Sequence, residues 1–273
     1  MRIWVDGGLR EAGDATVSVL DHGLTVGDGV FETLKVLDGR IFALTRHLNR
    51  LARSARGLGL PEPDLGEVAG ACGAVVAAEP MPVARLRVTY TGGVSPLGSE
   101  RGNERATLVV ALSPATATPG PTAAVTVPWT RNERGALTGL KTTSYGENVV
   151  ALSRAREQGA TEALFANTQG RLCEGTGSNV FVVVGGRLLT PPLSSGCLAG
   201  ITRELVLDWA GGHEADLPVG VLAEAEEIFL TSSLRDVQPV RRVDDRELYW
   251  APGPVTAKAR QIFAERSAAD IDP

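Results

Sequence analysis

Short apolar runs with the spacing of β-strands alternate with amphipathic runs with the spacing of α-helices along most of this chain. Strands are predicted over 16–19, within 31–42, and over 85–90, 107–112, 123–127, 162–167, 179–184 and 227–231. Helices are predicted over 44–58, 147–158, 202–210 and 254–268. The alternation restricts the fold to the α/β class or the α+β class.

A proline-rich stretch divides this pattern into two halves. Residues 113–122 contain Pro114, Pro119 and Pro121 and offer little apolar surface to bury. A chain of 273 residues with 43% hydrophobic content is long enough for two medium-sized domains. We therefore expect an N-terminal α/β domain over 1–113, a linker over 114–122 and a C-terminal α/β domain over 123–273.

Charge and cysteine usage exclude several classes of function. The net charge of -5 comes with no basic block, which argues against nucleic-acid binding and against attachment to an anionic membrane. No apolar run approaches the roughly 20 residues that span a bilayer, and the first residues lack a signal-peptide core, so we expect a cytoplasmic protein acting on a small molecule. Cys72, Cys173 and Cys197 are odd in number and widely spaced, which predicts buried thiols and neither a disulfide framework nor a metal site.

Lysine is rare in this sequence, with Lys35, Lys141 and Lys258 as the only examples among 27 lysines and arginines. Arginine stays charged, whereas a lysine can lose its proton and then act as a nucleophile or a base. Lys141 stands just before a predicted helix, a position where reactive groups are often held. It is therefore the candidate catalytic residue, the alternative being an ordinary surface lysine.

Several polar residues fit the needs of a flat, phosphorylated ligand. Glu174 lies among small residues and offers a carboxylate for a ring nitrogen. Thr202 stands at the start of a predicted helix, where amides and dipole favour phosphate. Ser232 and Ser233 follow a strand, and Arg50 adds a guanidinium. Each has an ordinary alternative: a helix cap for Thr202, turn residues for Ser232, Ser233 and Glu174, and a solvated face for Arg50.

Taken in order, these segments resemble the class IV aminotransferases, which are the fold type IV pyridoxal-phosphate enzymes. The similarity covers Asp21 to Thr33, His47 to Leu51, the Lys141 segment, Glu174 to Phe181, Gly200 to Arg203 and Thr231 to Val240. The family includes branched-chain aminotransferases, D-amino acid transaminases and aminodeoxychorismate lyases. The resemblance implies two α/β domains with pyridoxal 5′-phosphate between them, and a homodimer in which the partner chain helps to wall the site.

The resemblance also implies a role for each matched residue. Lys141 matches the lysine that binds the cofactor covalently and shuttles the substrate proton. Glu174 matches the acid on the pyridine nitrogen. The phosphate site corresponds to Arg50, the Ile201 amide, Thr202, Ser233 and a further possible member, Ser232. Tyr145 matches a tyrosine that bonds the phenolic oxygen of the cofactor, provided that a one-residue deletion is absorbed locally.

Departures from the family patterns bear on the reaction. Phe31 stands where D-amino acid transaminases carry a tyrosine, and residues 94–99 replace their Arg-x-His carboxylate trap. Only Arg87 matches the Tyr-x-Arg-Pro stretch of branched-chain enzymes, so Phe31 and Arg87 are candidate substrate contacts. Thr33 aligns with a threonine that the lyases use beside the lysine, whereas Glu32 is closer to the transaminase pattern. The resemblance favours a 4-amino-4-deoxychorismate lyase, which releases pyruvate and 4-aminobenzoate for folate or a specialised pathway, with a D-amino acid or branched-chain transaminase as the alternative.

Overall fold

The structure, a computed structural model, describes residues 1–102, 105–116 and 120–273, and these form two compact units. The first unit comprises the described residues up to 116 together with Leu140–Ser144 and Ile271–Pro273, and the second comprises 120–139 and 145–270. This division differs from the predicted contiguous domains because residues 140–144 are tied to the first unit. The Phe31 amide donates to the Lys141 carbonyl (2.9 Å), and the Thr143 amide donates to the Gly29 carbonyl (2.8 Å). The predicted linker over 114–122 includes residues 117–119, which lie outside the described residues.

The first unit is built on a six-stranded antiparallel sheet with the strand order β2-β1-β6-β5-β3-β4. Its strands are β1 (Arg2–Val5), β2 (Gly8–Glu11), β3 (Gly29–Leu37), β4 (Arg40–Ile41), β5 (Val83–Thr91) and β6 (Thr107–Pro114). Its helices are α1 (His22–Thr25), α2 (Leu44–Leu58) and α3 (Leu65–Ala78).

Strand β3 separates the two faces of this sheet. Because side chains alternate along a strand, Val30, Leu34 and Val36 all point to the core shared with α2 and α3. Phe31 and Thr33 lie on the opposite face. Glu32 lies on the same face of the strand as these apolar residues and is buried like them. A charged group is therefore inside the core and needs hydrogen-bond partners there.

The second unit contains a nine-stranded mixed sheet with the order β12-β11-β10-β13-β14-β7-β8-β9 and with β15 paired to β14. Its strands are β7 (Thr122–Arg131), β8 (Glu162–Asn167), β9 (Leu172–Gly175), β10 (Asn179–Val184), β11 (Arg187–Thr190), β12 (His213–Glu214), β13 (Glu227–Ser232), β14 (Asp236–Val243) and β15 (Arg246–Glu247). Its helices are α4 (Gly146–Glu157), α5 (Ile201–Ala210), α6 (Val221–Glu224) and α7 (Pro254–Ala269).

Both faces of this sheet are covered. Helix α4 buries Ala151 and Ala155 against Val125 and Phe165 on one face. The alternate residues of the same strands pack with the segment around α6 on the other face. The α/β class predicted from the sequence is confirmed, and in the second unit parallel pairs (β7–β8, β7–β14 and β11–β12) stand beside antiparallel ones.

Most predicted elements occur in the structure, and the helix over 44–58 has the predicted bounds. The strand predicted over 16–19 is wrong, since this stretch adopts no regular structure. Its alternation of apolar and polar residues resembles that of a strand, but Val17 and Val19 are exposed and do not pack into the core. The three cysteines are free thiols, and their predicted burial is confirmed. Within the described part of the chain, no helix combines the length and apolar character needed to cross a membrane.

Candidate active site

Lys141 is fixed by its main chain to two elements of the first unit. Its carbonyl accepts from Phe31 on β3, and its amide donates to the hydroxyl of Ser54 on α2 (3.2 Å). Its side-chain nitrogen lies 4.2 Å from the centroid of the Phe31 ring. The amine is therefore held against an aromatic face by a fixed backbone, which is unlike an ordinary surface lysine.

The residues predicted to contact the substrate share one face of the first sheet. Thr33 pairs with Arg87 across β3 and β5, and Phe31 pairs with Thr89 two positions along. The guanidinium carbon of Arg87 lies 3.4 Å from the Phe31 ring centroid, so the planar group stacks on the ring. This face thus presents an apolar ring, a hydroxyl and a cation, and the Lys141 amine lies against the ring.

A fully buried ion pair holds Arg50. The carboxylate of Glu32 accepts from the Nε and Nη2 atoms of Arg50, both at 2.7 Å, and from Nδ1 of His47 at 2.6 Å. Burial alone would raise the pKa of Glu32, but the adjacent Arg50 guanidinium and His47 hold that pKa well below its usual range. Burial lowers the pKa of His47 despite the carboxylate beside it. The solvated position considered for Arg50 is therefore wrong, because its side chain is only 5% exposed.

A second buried cluster lies at the start of β3. The carboxylate of Asp28 accepts from Nε and Nη2 of Arg101 (2.7 and 2.6 Å) and bonds Nδ1 of His22 (2.8 Å). The other His22 nitrogen faces the Gly98 carbonyl at 2.9 Å. The hydrogen bond to Asp28, supported by the one to Gly98, raises the pKa of His22. Burial by itself would raise the pKa of Asp28, but Arg101 and His22 lower it.

In the second unit, Glu174 on β9 is held from two sides. One carboxylate oxygen accepts from the Leu198 amide (2.9 Å), and the other lies 3.3 Å from Nε of Arg131. Arg131, at the end of β7, stacks on Phe165 with 4.0 Å between its guanidinium carbon and the ring centroid. An amide and a guanidinium thus fix the direction of this carboxylate, as the acid partner of a ring nitrogen requires.

The start of α5 provides several donors at one point. Gly200 is the N-cap and supplies no side-chain cap, so the first-turn amides, including that of Ile201, have no acceptor within the helix. Thr202 is the second helical residue and is buried, so its interpretation as a simple N-cap is wrong. A Cβ atom on Gly200 would lie 1.9 Å from Oδ1 of Asn179, which shows how closely the backbone approaches this side chain.

Thr231 lies beside this helix start without a partner for its hydroxyl. It pairs directly with Asn179 across β13 and β10, so both side chains stand on the same face of the sheet. Asn179 reaches the Leu198 carbonyl (2.9 Å), whereas the Oγ1 atom of Thr231 is buried and has no hydrogen-bond partner among the described residues. A buried hydroxyl without a partner and a helix start without a side-chain cap offer donors of the kind that phosphate oxygens accept.

The remaining predicted residues all belong to the second unit. Ser232 ends β13, and its hydroxyl accepts from the Arg235 amide at 3.3 Å. Ser233 follows in the turn to β14. Tyr145 is the N-cap residue of α4. Their contacts with a cofactor stay predictions.

Sequence reasoning missed four residues that shape these sites: Ser54, His47, Arg131 and Thr231. Only His47 carried a detectable signal, since it lies with Arg50 on the buried face of an amphipathic helix. Nothing local marks Arg131 or Ser54, because their partners are distant in the sequence.

Comparison with known proteins identifies the family. The model of the family described as amino-transferase class IV matches residues 29–243. A putative branched-chain-amino-acid aminotransferase of Methanocaldococcus jannaschii is 32% identical, with 97% of this chain and 96% of the relative covered. A bifunctional aminodeoxychorismate lyase / D-amino acid transaminase of Mycobacterium tuberculosis is 30% identical, again with 97% and 96% covered. The crystal structure of a branched-chain aminotransferase from Thermoproteus uzoniensis superposes with a TM-score of 0.91 at 30% identity, covering 97% of this chain and 94% of the other.

The chain therefore belongs to the class IV aminotransferase family. This confirms the resemblance found in the sequence, the fold type IV architecture and the predicted cofactor, since the family depends on pyridoxal 5′-phosphate. Relatives of comparable identity include transaminases and a lyase, so the comparisons define an enzyme family in which both reactions occur.

Proposed function

We propose that this protein is a pyridoxal-phosphate-dependent 4-amino-4-deoxychorismate lyase, which releases pyruvate and 4-aminobenzoate. The observation that carries this proposal is the face of the first sheet that Phe31, Thr33 and Arg87 share, with the amine of Lys141 against the Phe31 ring. The substrate is a cyclohexadiene ring that carries one carboxylate directly and a second one on its enolpyruvyl ether. An aromatic wall, one guanidinium and one hydroxyl are complementary to such a molecule.

The predicted cofactor contacts become part of this proposal. Lys141 binds the cofactor aldehyde, Glu174 bonds the ring nitrogen, and Tyr145 bonds the phenolic oxygen. The phosphate is held by a group of donors: Arg50, the Ile201 amide, Thr202, Ser232 and Ser233. When bound, pyridoxal phosphate supplies an electron sink for the carbon that carries the substrate amine. Two observations support the phosphate assignment: the Thr231 hydroxyl has no hydrogen-bond partner among the described residues, and α5 begins without a side-chain cap.

The remaining chemistry falls to side chains of this chain. Arg87 binds a substrate carboxylate, and Phe31 packs against the ring. Lys141, once its amine is released, removes the proton from the amine-bearing carbon. The bond between the ring and the enolpyruvyl oxygen then breaks, the ring becomes aromatic, and Thr33 or Lys141 protonates the departing pyruvate. The reaction is redox-neutral and consumes no keto acid.

The decisive experiment gives the cofactor-loaded protein aminodeoxychorismate without any keto acid. Sustained, equimolar release of 4-aminobenzoate and pyruvate over many turnovers is the expected result. Thr33→Val, which keeps the shape of the side chain and removes the hydroxyl, should lower this turnover without loss of cofactor. A folded, cofactor-loaded protein that releases neither product would overturn the lyase proposal.

A transaminase is the second candidate, supported by the relatives named above. Glu32 belongs to the transaminase-like part of the sequence pattern, and the relative from Mycobacterium tuberculosis is named for both activities. Conversion of the bound cofactor to its amine form by D- or L-amino acids, without release of 4-aminobenzoate from aminodeoxychorismate, is the result that would favour this candidate.

We also propose that the protein acts as a homodimer. Several large apolar side chains are exposed on two adjoining segments of the first unit, around α1 and after β5: Val17, Val19, Leu20, Leu24, Val26, Val94 and Leu97. The segments are tied by the bond from the Ser95 amide to the Leu20 carbonyl (3.2 Å). A concentration of exposed apolar side chains on two joined segments is typical of a protein interface, and a second copy of the chain fits the family's usual assembly.

A further inference from the structure

Arg50 is held in one orientation by its carboxylate partner. The Nε and Nη2 atoms of the guanidinium meet the two oxygens of Glu32 in parallel, each at 2.7 Å. This arrangement uses one edge of the planar group and constrains its plane. The Nη1 end therefore points away from Glu32.

His47 completes the support of this carboxylate. It lies three residues before Arg50 on α2, so the two side chains project from the same face of the helix. Its Nδ1 atom bonds the same Glu32 oxygen that receives Nη2 of Arg50. The Glu32 side chain is only 1% exposed and reaches this cluster from the core face of β3. Three hydrogen bonds thus fix a carboxylate that water does not reach.

A buried charge pair of this kind is costly to assemble and needs a reason. The Arg50–Glu32 pair has no net charge. An anion at Arg50 is therefore recognised by hydrogen-bond donors of fixed direction rather than by excess positive charge. A guanidinium whose direction is already fixed loses less conformational entropy when it binds phosphate.

We propose that Glu32 is a positioning residue that presets Arg50 for the phosphate of the cofactor, an inference that rests on the proposed function. Glu32 itself does not touch the phosphate. Its contribution is to select the end of the guanidinium that the ligand meets. Glu32→Gln cannot do this, because an amide offers one acceptor and one donor to a guanidinium edge that contains donors only.

The test compares the affinity of the apoprotein for pyridoxal phosphate with its affinity for pyridoxal, which lacks the phosphate. The dissociation constant for pyridoxal divided by that for pyridoxal phosphate isolates the contribution of the phosphate. Damage elsewhere that weakens the binding of both ligands equally leaves this ratio unchanged. In Glu32→Gln the ratio should fall by roughly 10- to 100-fold, as expected for the loss of a charge-assisted hydrogen bond. The affinity for pyridoxal itself should remain close to that of the wild type.

Two further variants separate positioning from general stability. Glu227→Gln alters an equally buried carboxylate, which caps α7 through the Val255 and Thr256 amides (3.0 and 2.7 Å), and should leave the ratio unchanged. In an Arg50→Met background, Glu32→Gln should change the ratio by less than about twofold, because the effect of Glu32 passes through Arg50. An equal effect with and without Arg50 would overturn the inference.

The possible failures are distinguishable. A wild type that binds pyridoxal phosphate no better than pyridoxal would overturn the proposed cofactor function and this inference with it. A wild type with a clear preference, alongside a Glu32→Gln variant with the same preference, would overturn only the role of Glu32. If Glu32→Gln does not fold, Glu32→Asp serves instead: it keeps the charge but is too short to hold the same bonds, and an unchanged ratio in that variant would equally overturn the inference.

Discussion

The hydroxyl of Ser54 accepts a hydrogen bond from the backbone amide of Lys141, with 3.2 Å between the two atoms. Ser54 is buried on α2, so this bond joins the candidate catalytic lysine to a helix that is distant in the sequence. Ser54→Ala should lower the free energy of unfolding by about 1–3 kcal/mol, because it leaves the Lys141 amide without its acceptor. Denaturant titration measures the change. Ser144→Ala is the control, since Ser144 is exposed and its loss should cost less than about 0.5 kcal/mol; equal effects would contradict the prediction.

Lys141→Ala should abolish both the visible absorbance of the cofactor-loaded protein and its turnover. Lys141 is the lysine whose side chain lies against Phe31 in the candidate site, and alanine cannot bond an aldehyde. Absorbance spectra after addition of pyridoxal phosphate, together with product assays, provide the measurement. Lys258→Ala, on the exposed face of α7, should behave like the wild type. A Lys141→Ala protein that kept its absorbance band and its activity would refute the assignment.

Glu174→Gln should keep the cofactor but lower turnover on the order of 100-fold. The change removes the carboxylate that the Leu198 amide and Arg131 hold in place, whereas the covalent attachment proposed at Lys141 does not involve this side chain. Cofactor content and turnover are measured on the same preparation. Glu147→Gln is a matched control, because Glu147 also pairs with Arg131 (3.5 Å) but is largely exposed. Comparable losses in the two variants would count against the role of Glu174.

His22 should make stability depend on pH. Both of its ring nitrogens face acceptors, and its pKa is raised in the folded protein. Its contribution is therefore fully present below the unfolded-state pKa of about 6.5 and is lost as the pH rises through the folded value.

The matching experiment compares unfolding of the wild type and of His22→Gln from about pH 6 to about pH 9. The stability advantage of the wild type should be largest at the acidic end and should shrink toward the basic end. His213→Gln, at an exposed site on β12, should show no such trend. An advantage that grew with pH would reverse the predicted sign.

Leu24→Glu and Leu97→Glu should convert a dimer into a monomer. The two side chains are 69% and 74% exposed within the apolar patch of the first unit, and a buried charge at the interface would be unpaired. Light scattering during size-exclusion chromatography measures the mass. Tyr249→Glu, at a side chain that is 88% exposed in the second unit, should leave the assembly intact. A monomeric wild type would rule out the proposed interface.

Local signals were enough to predict the elements and several candidate residues. The helix over 44–58 was predictable because its apolar residues recur on one face, and Gly59, with a φ of 75°, ends it. Lys141 stood out because lysine is rare in this chain, and Glu174 because small residues surround it. The strand predicted over 16–19 failed because an alternating pattern of four residues carries no information about a neighbouring strand to pair with.

The sequence by itself determined the class of fold, the order of the elements and the types of side chain available for chemistry, because these depend on composition and on short-range periodicity. Only the tertiary structure decided that Lys141 packs with the first unit, that Glu32 fixes Arg50 and that Arg131 stands behind Glu174. These relationships join residues from different elements, and they depend on strand register and on which face of a strand each side chain occupies. A shift of one residue in the register of β3 would turn the Glu32 side chain to the face of the sheet that Phe31 now occupies. The buried guanidinium of Arg50 would then lose its contact with this carboxylate.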